Sequence, residues 1–146
     1  MSWNPPKDFN EMHLFTDEAL LLWETGEKFV WTVEEKETGT FIGRVEAKRA
    51  RELPGNVWGL GYWIHPLQQG KGYATEASKE VIRFIFEDLG ADSIVSSHLD
   101  WNEASGKVLR KISMKHTGFS ENRVVKNGKP MRAAEFWLDR KDWKLC

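Results

Sequence analysis

Residues Val57 to Ile64 read VWGLGYWI, with no charged side chain and an apolar or aromatic residue at every position that is not glycine. A strand apolar on both faces has to be covered on both faces, so this segment belongs in the middle of a sheet with other layers packed around it. It is an unusual central strand. Gly59 and Gly61 give it no side chains to pack, and glycine weakens a strand unless a bulge or a close approach to the main chain requires it. A ligand could therefore lie against the backbone here.

The segments on either side complete a pattern. Upstream, Phe29, Trp31 and Val33 alternate with polar or smaller residues over Lys28 to Glu34, Thr38-Gly39 supplies a turn, and Phe41 to Ala47 alternates again, which predicts a β-hairpin. Ala50 to Asn56, with Pro54-Gly55, reads as a loop. Downstream, Ala74, Ala77, Val81, Ile82, Ile85 and Leu89 follow helical spacing from Tyr73 to Leu89, with Glu76, Lys79, Glu80, Arg83 and Glu87 mostly on the other side, and Gly90 ends the helix. A strand at Ser93 to Leu99 follows, then a helix started by Asn102 and carrying Val108, Leu109 and Ile112. Two last strands fall around Lys115 to Val125 and Ala133 to Leu138, joined by Asn127-Gly128. Ahead of the hairpin, Pro5 and Pro6 mark an irregular lead-in, with Thr16 as N-cap of a short helix over Asp17 to Trp23. The predicted order is ββ–β–α–β–α–ββ, an α/β (α+β) fold whose mixed sheet has helices packed on it.

At 146 residues and 40% apolar composition, the chain is the size of one domain spanning 1–146, with enough apolar residues for a single core. Its 21 basic and 22 acidic side chains leave a net charge of −1, without the basic footprint of a nucleic-acid binder. The lone cysteine, Cys146, rules out an internal disulfide framework and any cysteine-based metal cluster, and no metal site is expected. No apolar run approaches the roughly 18–20 residues that cross a bilayer. Met1 is followed by Ser2, Trp3, Asn4 and two prolines rather than a signal sequence, so a cytoplasmic location away from membranes is expected. Eight Trp and eight Phe read first as core or interface bulk.

The chemistry-bearing stretch is Gln69-Gly70-Lys71-Gly72-Tyr73-Ala74, between the glycine-containing strand and the amphipathic helix. Glycines at such a junction let successive backbone N–H groups converge on an anion. The helix N-terminus adds about half a positive charge, so a pyrophosphate can bind there without a basic patch, with Lys71 as a point charge at the rim. The same letters also suit a turn that merely permits a tight connection. A P-loop does not fit, because Gly72 stands where Ser or Thr should follow the lysine, and a G-x-G-x-x-G fingerprint is absent.

Several segments together resemble the GNAT superfamily of N-acetyltransferases, and within it the RimJ/RimL branch of ribosomal-protein acetyltransferases. They are Gly61-Tyr62-Trp63-Ile64-His65-Pro66, Gln69 through Ala77, Phe84 through Gly90, and Asn102-Glu103-Ala104-Ser105 with Val108-Leu109. The resemblance spans about Phe29 to Trp143. It implies a mostly antiparallel twisted sheet with flanking helices and a splayed, bulged central strand. It also implies acetyl-CoA as cosubstrate, its pyrophosphate held by Gln69, Gly70, Lys71, Gly72, Tyr73, Ala74 and Thr75, and its pantetheine arm along the backbone of Trp63 and Ile64, which would account for Gly61.

The implied reaction is direct attack of a primary amine on the thioester. An amine near pKa 10 must lose a proton, the oxyanion wants N–H donors, and the leaving thiolate wants an acid or hydroxyl. Where many members place a tyrosine acid, seven residues after the Asn of the N-x-x-A/S segment, this chain has Leu109. The RimJ/RimL resemblance instead gives that role to Ser105, with Asn102 contacting the cofactor arm. Asn102 and Ser105 also suit N-cap and N3 of the same helix. For the general base the candidates are His65, Glu46 and Asp100, with Glu121 a poor substitute where the branch would carry a Glu at Val124; a water is another. A lone His such as His65 is more often structural. Ser113-Met114 stands where the family usually has Gly and an apolar residue. The N-terminal region, 1–27, is short by family standards. By that resemblance the first strand and helix that wall the acceptor pocket are expected to be missing or supplied by a partner, and a homodimer is expected to cover the edge at Lys28 to Glu34. A non-catalytic acyl-CoA-binding module is the alternative to an acetyltransferase acting on a protein N-terminus or a small amine, and a cofactor-free interaction protein is a third reading.

Overall fold

The computed structural model describes residues 25–99, 102–126 and 129–143. The expected Asp17–Trp23 helix with its Thr16 cap, Asp100 and the Asn127-Gly128 turn lie outside these residues. Six strands form one sheet: β1 (Lys28–Glu34), β2 (Phe41–Arg49), β3 (Val57–Ile64), β4 (Ser93–Leu99), β5 (Lys115–Lys126) and β6 (Lys129–Asp139). Helices α1 (Tyr73–Arg83), α2 (Glu103–Lys111) and the short α3 (Arg140–Trp143) complete the element order. The strands lie in the order β1-β2-β3-β4-β6-β5, antiparallel throughout except for β3 against β4. The expected order and mixed, mostly antiparallel sheet are what the chain forms.

Alternation sets the two faces. In β1 to β3 the side chains of Phe29, Trp31, Val45, Ala47, Trp58, Leu60 and Tyr62 share one face with the core residues Val81, Ile82, Ile85 and Phe86 of the α1 region. Burying such a face is the main stabilising term, at roughly 25 cal/mol per Å² of apolar surface removed from water. β1 is an edge of the described sheet, and its aromatics are roofed from above. Phe84 makes edge-to-face contacts with Phe29 at 5.3 Å and Trp31 at 5.2 Å between ring centroids.

Two local features depart from simple periodicity. The helix expected to run to Leu89 is α-helical only to Arg83 and continues as a π turn, Phe84–Asp88, closed by Leu89 N–H donating to Phe84 O at 3.1 Å. The wider turn seats Phe84 over β1 while Phe86 stacks on Trp143 at 5.0 Å, so both rings find aromatic partners. At the end of α2, Ser113 takes the left-handed conformation at φ 70° where glycine is usual. Ser113 N–H donates to Arg110 O and Met114 N–H to Leu109 O, each at 3.0 Å, which is a Schellman closure made with a serine.

Candidate active site

β3 is paired with β4 only at its beginning, Val57 with Ser93, Trp58 with Ile94 and Gly59 with Val95, and beyond Gly59 the two strands part. On its other side β3 stays in register with β2 from Arg49–Trp58 to Gly43–Ile64 without a shift, so the strand splays away from β4 and carries no bulge against β2. At the fork Ser96 Oγ donates to Leu60 O at 2.8 Å. His65 N–H donates the other way, to Ile42 O at 2.8 Å. By strand alternation the peptide groups of Tyr62 and Ile64 therefore face the gap, while those of Gly61 and Trp63 face β2.

Space accounts for two of the glycines, Gly61 and Gly43. A Cβ on Gly61 would meet Glu46 Cγ at 3.0 Å and Oε1 at 3.1 Å, so Gly61 makes way for the glutamate side chain lying over it. A Cβ on Gly43 would sit 2.0 Å from Trp63 O, so the closest backbone approach lies in β2, opposite the splayed half of β3. Glu46 projects on the face away from α1, is half-exposed, and pairs with Lys28 Nζ at 3.4 Å.

The gap leads directly into the glycine loop. Gly70 and Gly72 adopt φ of 78° and 85°, conformations that favour glycine, and a Cβ on either would meet nothing within 4 Å. Gly72 is the N-cap of α1 and offers no side chain to the first-turn N–H groups, so the amides of Tyr73, Ala74 and Thr75 have no side-chain cap. Gln69 Nε2 donates to Ile64 O at 3.1 Å and ties the loop to the end of β3. Lys71 Nζ reaches Gln68 Oε1 at 3.2 Å from an exposed position. His65 Nδ1 accepts from Leu67 N–H at 3.1 Å, capping the turn Pro66–Gln68, and its ring lies edge-on to Trp63 at 6.0 Å.

On the α1 side of the gap, Asn102 caps α2 by accepting from Ser105 N–H at 3.3 Å. Ser105 is buried, and its Oγ lies 2.6 Å from the hydroxyl of Tyr62, which donates to Ser105 O at 2.9 Å. Burial pushes the Tyr62 phenol up to about 12, with the Ser105 hydrogen bond pulling the other way, so the hydroxyl stays neutral and able to donate. Leu109 is fully buried in the core, on a different turn of α2. The structure thus gathers Ile64, Gln69, Asn102 and Ser105 round one gap, leaves Glu46 on the opposite face, and adds Tyr62. Its hydroxyl partner 43 residues away is invisible to local spacing, and the only sequence signal was a phenol in an otherwise apolar strand. Glu121 and Val124 lie in β5, at the far edge from β1. Among the described residues no group of three or more His, Cys, Asp or Glu is arranged to hold a metal, and no helix is long and apolar enough to cross a membrane.

Comparison with known proteins follows the same lines. YoaA, an uncharacterized N-acetyltransferase of Bacillus subtilis, is 28% identical over 104 residues, covering 68% of this chain and 56% of that protein. A proposed ribosomal-protein-serine acetyltransferase from Vibrio cholerae superposes with a TM-score of 0.80 at 26% identity, over 94% of this chain and 78% of the other. RimJ of Mycobacterium smegmatis, solved with CoA-disulfide, superposes with a TM-score of 0.85 at 16% identity, over 97% of this chain and 67% of the other. The chain spans about half the length of the curated relatives it matches, from 36% to 56% of each. The Acetyltransferase (GNAT) domain profile matches residues 1–115, most of the sequence, and the chain belongs to that family.

Proposed function

We propose that this chain performs acetyl-CoA-dependent N-acetylation, transferring acetyl directly from the thioester to a primary amine of a protein N-terminus or a small molecule. The observation that carries this reading is the continuity of the β3–β4 gap with the uncapped start of α1 and its two left-handed glycines. The residues present fit the cosubstrate. Open space beside Gly70 and Gly72 leaves room for a pyrophosphate on the amides of Gly70 through Thr75, and the peptide groups of Tyr62 and Ile64 face where an amide-bearing arm would run. Acetyl-CoA, when bound, supplies the activated acyl carbon and a thiol leaving group. Ser105 then faces the leaving group as hydrogen-bond donor, Asn102 orients the start of α2, and Gln69 holds the loop against β3. Glu46, on the opposite face and paired with Lys28, would attract an ammonium and take its proton. The relative solved with CoA-disulfide shares this fold, which supports the reading.

Native mass spectrometry with acetyl-CoA is the test. One cofactor per chain is expected, and Gly72→Glu, which puts a side chain and a negative charge into the cradle, should lower affinity at least about 100-fold, as a like charge at an anion site does. Unchanged affinity would refute the site; binding with no thiol release on any amine would leave an acyl-CoA-binding module. We also propose that a second copy covers the β1 edge. A monomer in size-exclusion chromatography with light scattering at micromolar concentration overturns that part alone.

A further inference from the structure

We propose that Tyr62 is a positioning residue for the leaving thiolate: its hydroxyl and that of Ser105 form a two-hydroxyl relay that turns Ser105 into a donor when sulfur becomes negative. The inference rests on the acetyltransferase reading above. Two protons are shared among three oxygens. Ser105 O can only accept, and Tyr62 OH lies 2.9 Å from it, so at rest the phenol proton is given to that carbonyl. The 2.6 Å contact between the hydroxyls is then made by the Ser105 proton pointing at Tyr62, and Ser105 has no donor left for the gap. A small rotation of the phenol O–H, from Ser105 O to Ser105 Oγ, reverses this. Tyr62 now donates to Oγ, and the Ser105 proton is released toward the gap. Donation into Oγ also polarises the serine O–H and makes it the stronger donor, as in any chain of hydrogen bonds in a poorly solvated site.

The chemistry is conserved in atoms and charge. As the C–S bond breaks, its electron pair goes to sulfur. The two hydroxyls donate hydrogen bonds and keep their protons, and the proton lost by the amine ends on the released thiol or in solvent. Tyr62 sits on β3, which lines the gap, and Ser105 on α2, and their contact lets the phenol polarise the serine O–H as it donates toward sulfur.

Binding reads this out without any acceptor. An alkyl thiol ionises at about 8.5 or above, so a site that donates to thiolate binds CoA more tightly as pH rises, while acetyl-CoA has no such proton. The probes are CoA and acetyl-CoA, and the readout is the ratio of their affinities between pH 7 and pH 9.5 by isothermal titration. Titratable side chains on the surrounding elements, among them Glu76 of α1, His98 of β4 and Glu103, Lys107 and Arg110 of α2, are the same in wild type and variants, so the difference between their ratios isolates the two hydroxyls. For the wild type the ratio should shift toward CoA by about tenfold, the size expected of a charge-assisted hydrogen bond. In Tyr62→Phe the Ser105 hydroxyl keeps its proton but loses the phenol's polarising donation, so the shift should fall by more than half, while the main-chain groups of Tyr62, which the substitution keeps, still serve acetyl-CoA. Ser105→Ala, which removes the donor and leaves Tyr62 its carbonyl partner, should lose it entirely, and the double variant should be no worse. A shift that persists at full size in Tyr62→Phe, or that is absent from the wild type, overturns the relay. A role in packing alone would weaken CoA and acetyl-CoA together, which also overturns it. Failure of the wild type to bind either ligand would instead reject the acetyltransferase reading itself.

Discussion

The two halves of β3 are continuous in sequence and opposite in use. Trp58 and Gly59 are paired on both sides, and the turn before β3 is clamped: Asn56 Nδ2 donates to Gly90 O at 3.1 Å, Asn56 Oδ1 accepts from Trp58 Nε1 at 2.9 Å, and Asp92 N–H donates to Asn56 O at 2.8 Å. Leu60 to Ile64 keep only β2 as a ladder partner. Their gap-side groups are met by side chains, Ser96 at Leu60 O and Gln69 at Ile64 O. A strand can be opened on one edge when its backbone groups are satisfied one at a time by side chains or reserved for a ligand. The closed half holds the sheet together, and the open half offers main chain to a cosubstrate.

If the open half depends wholly on β2, the sharpest way to break it is at the close approach. Gly43→Ala puts a Cβ about 2 Å from Trp63 O, a backbone atom that cannot step aside, and should destabilise the fold by about 3 kcal/mol in urea denaturation. Gly59→Ala is the matched substitution in the closed half. Its Cβ would meet Lys48 O at an ordinary 3.6 Å, so a cost below about 1 kcal/mol is expected. Equal losses at the two positions would mean that the β2 contact is no tighter at the splay than elsewhere.

A second, smaller break concerns what bridges the open half. Tyr62→Phe removes one buried hydroxyl with its hydrogen bonds to Ser105, at about 1.5 kcal/mol near neutral pH. Its pH signature separates it from general loosening. The folded phenol ionises at about 12 against 10 in the unfolded chain, so this contribution is complete below pH 10 and fades as pH rises from 10 to 12. Wild type should lose about 2 kcal/mol across that window beyond what Tyr62→Phe loses, measured by denaturant midpoints at each pH. Parallel pH profiles would show that the phenol is not held neutral by burial.

Much of the closed half was legible from residues alone. Alternation at Phe29, Trp31 and Val33, the uncharged run of β3 and the 3.6-residue repeat of α1 each report which side faces the core, and a core needs only that. The fork was legible as a location, through glycines 59, 61, 70 and 72, but not as a geometry. Gly61 is small because of Glu46 in the next strand, and Gly43, the tightest position, sits in an ordinary-looking hairpin. The Tyr62–Ser105 contact joins β3 to α2, and the π turn adds a residue where periodicity counts 3.6. Most of these features are decided by contacts between residues far apart in sequence, which local pattern does not encode.

The smallest effect tests whether stability and the open half are separable. Ser113 closes α2 in a left-handed conformation that a β-carbon disfavours by about 1 kcal/mol, part of which glycine gives back through a freer unfolded chain. Ser113→Gly should therefore stabilise by about 0.5 kcal/mol, a rise of about 1–2 °C in Tm for a chain of this size. Ser113 stands at the opposite end of α2 from Ser105, so the substitution raises global stability without touching the gap. Combined with Tyr62→Phe it should recover part of the lost Tm and none of the lost pH-dependent preference for CoA. Recovery of both would show that the preference follows overall stability, and the division of β3 into a structural and a ligand-facing half would then have no functional content.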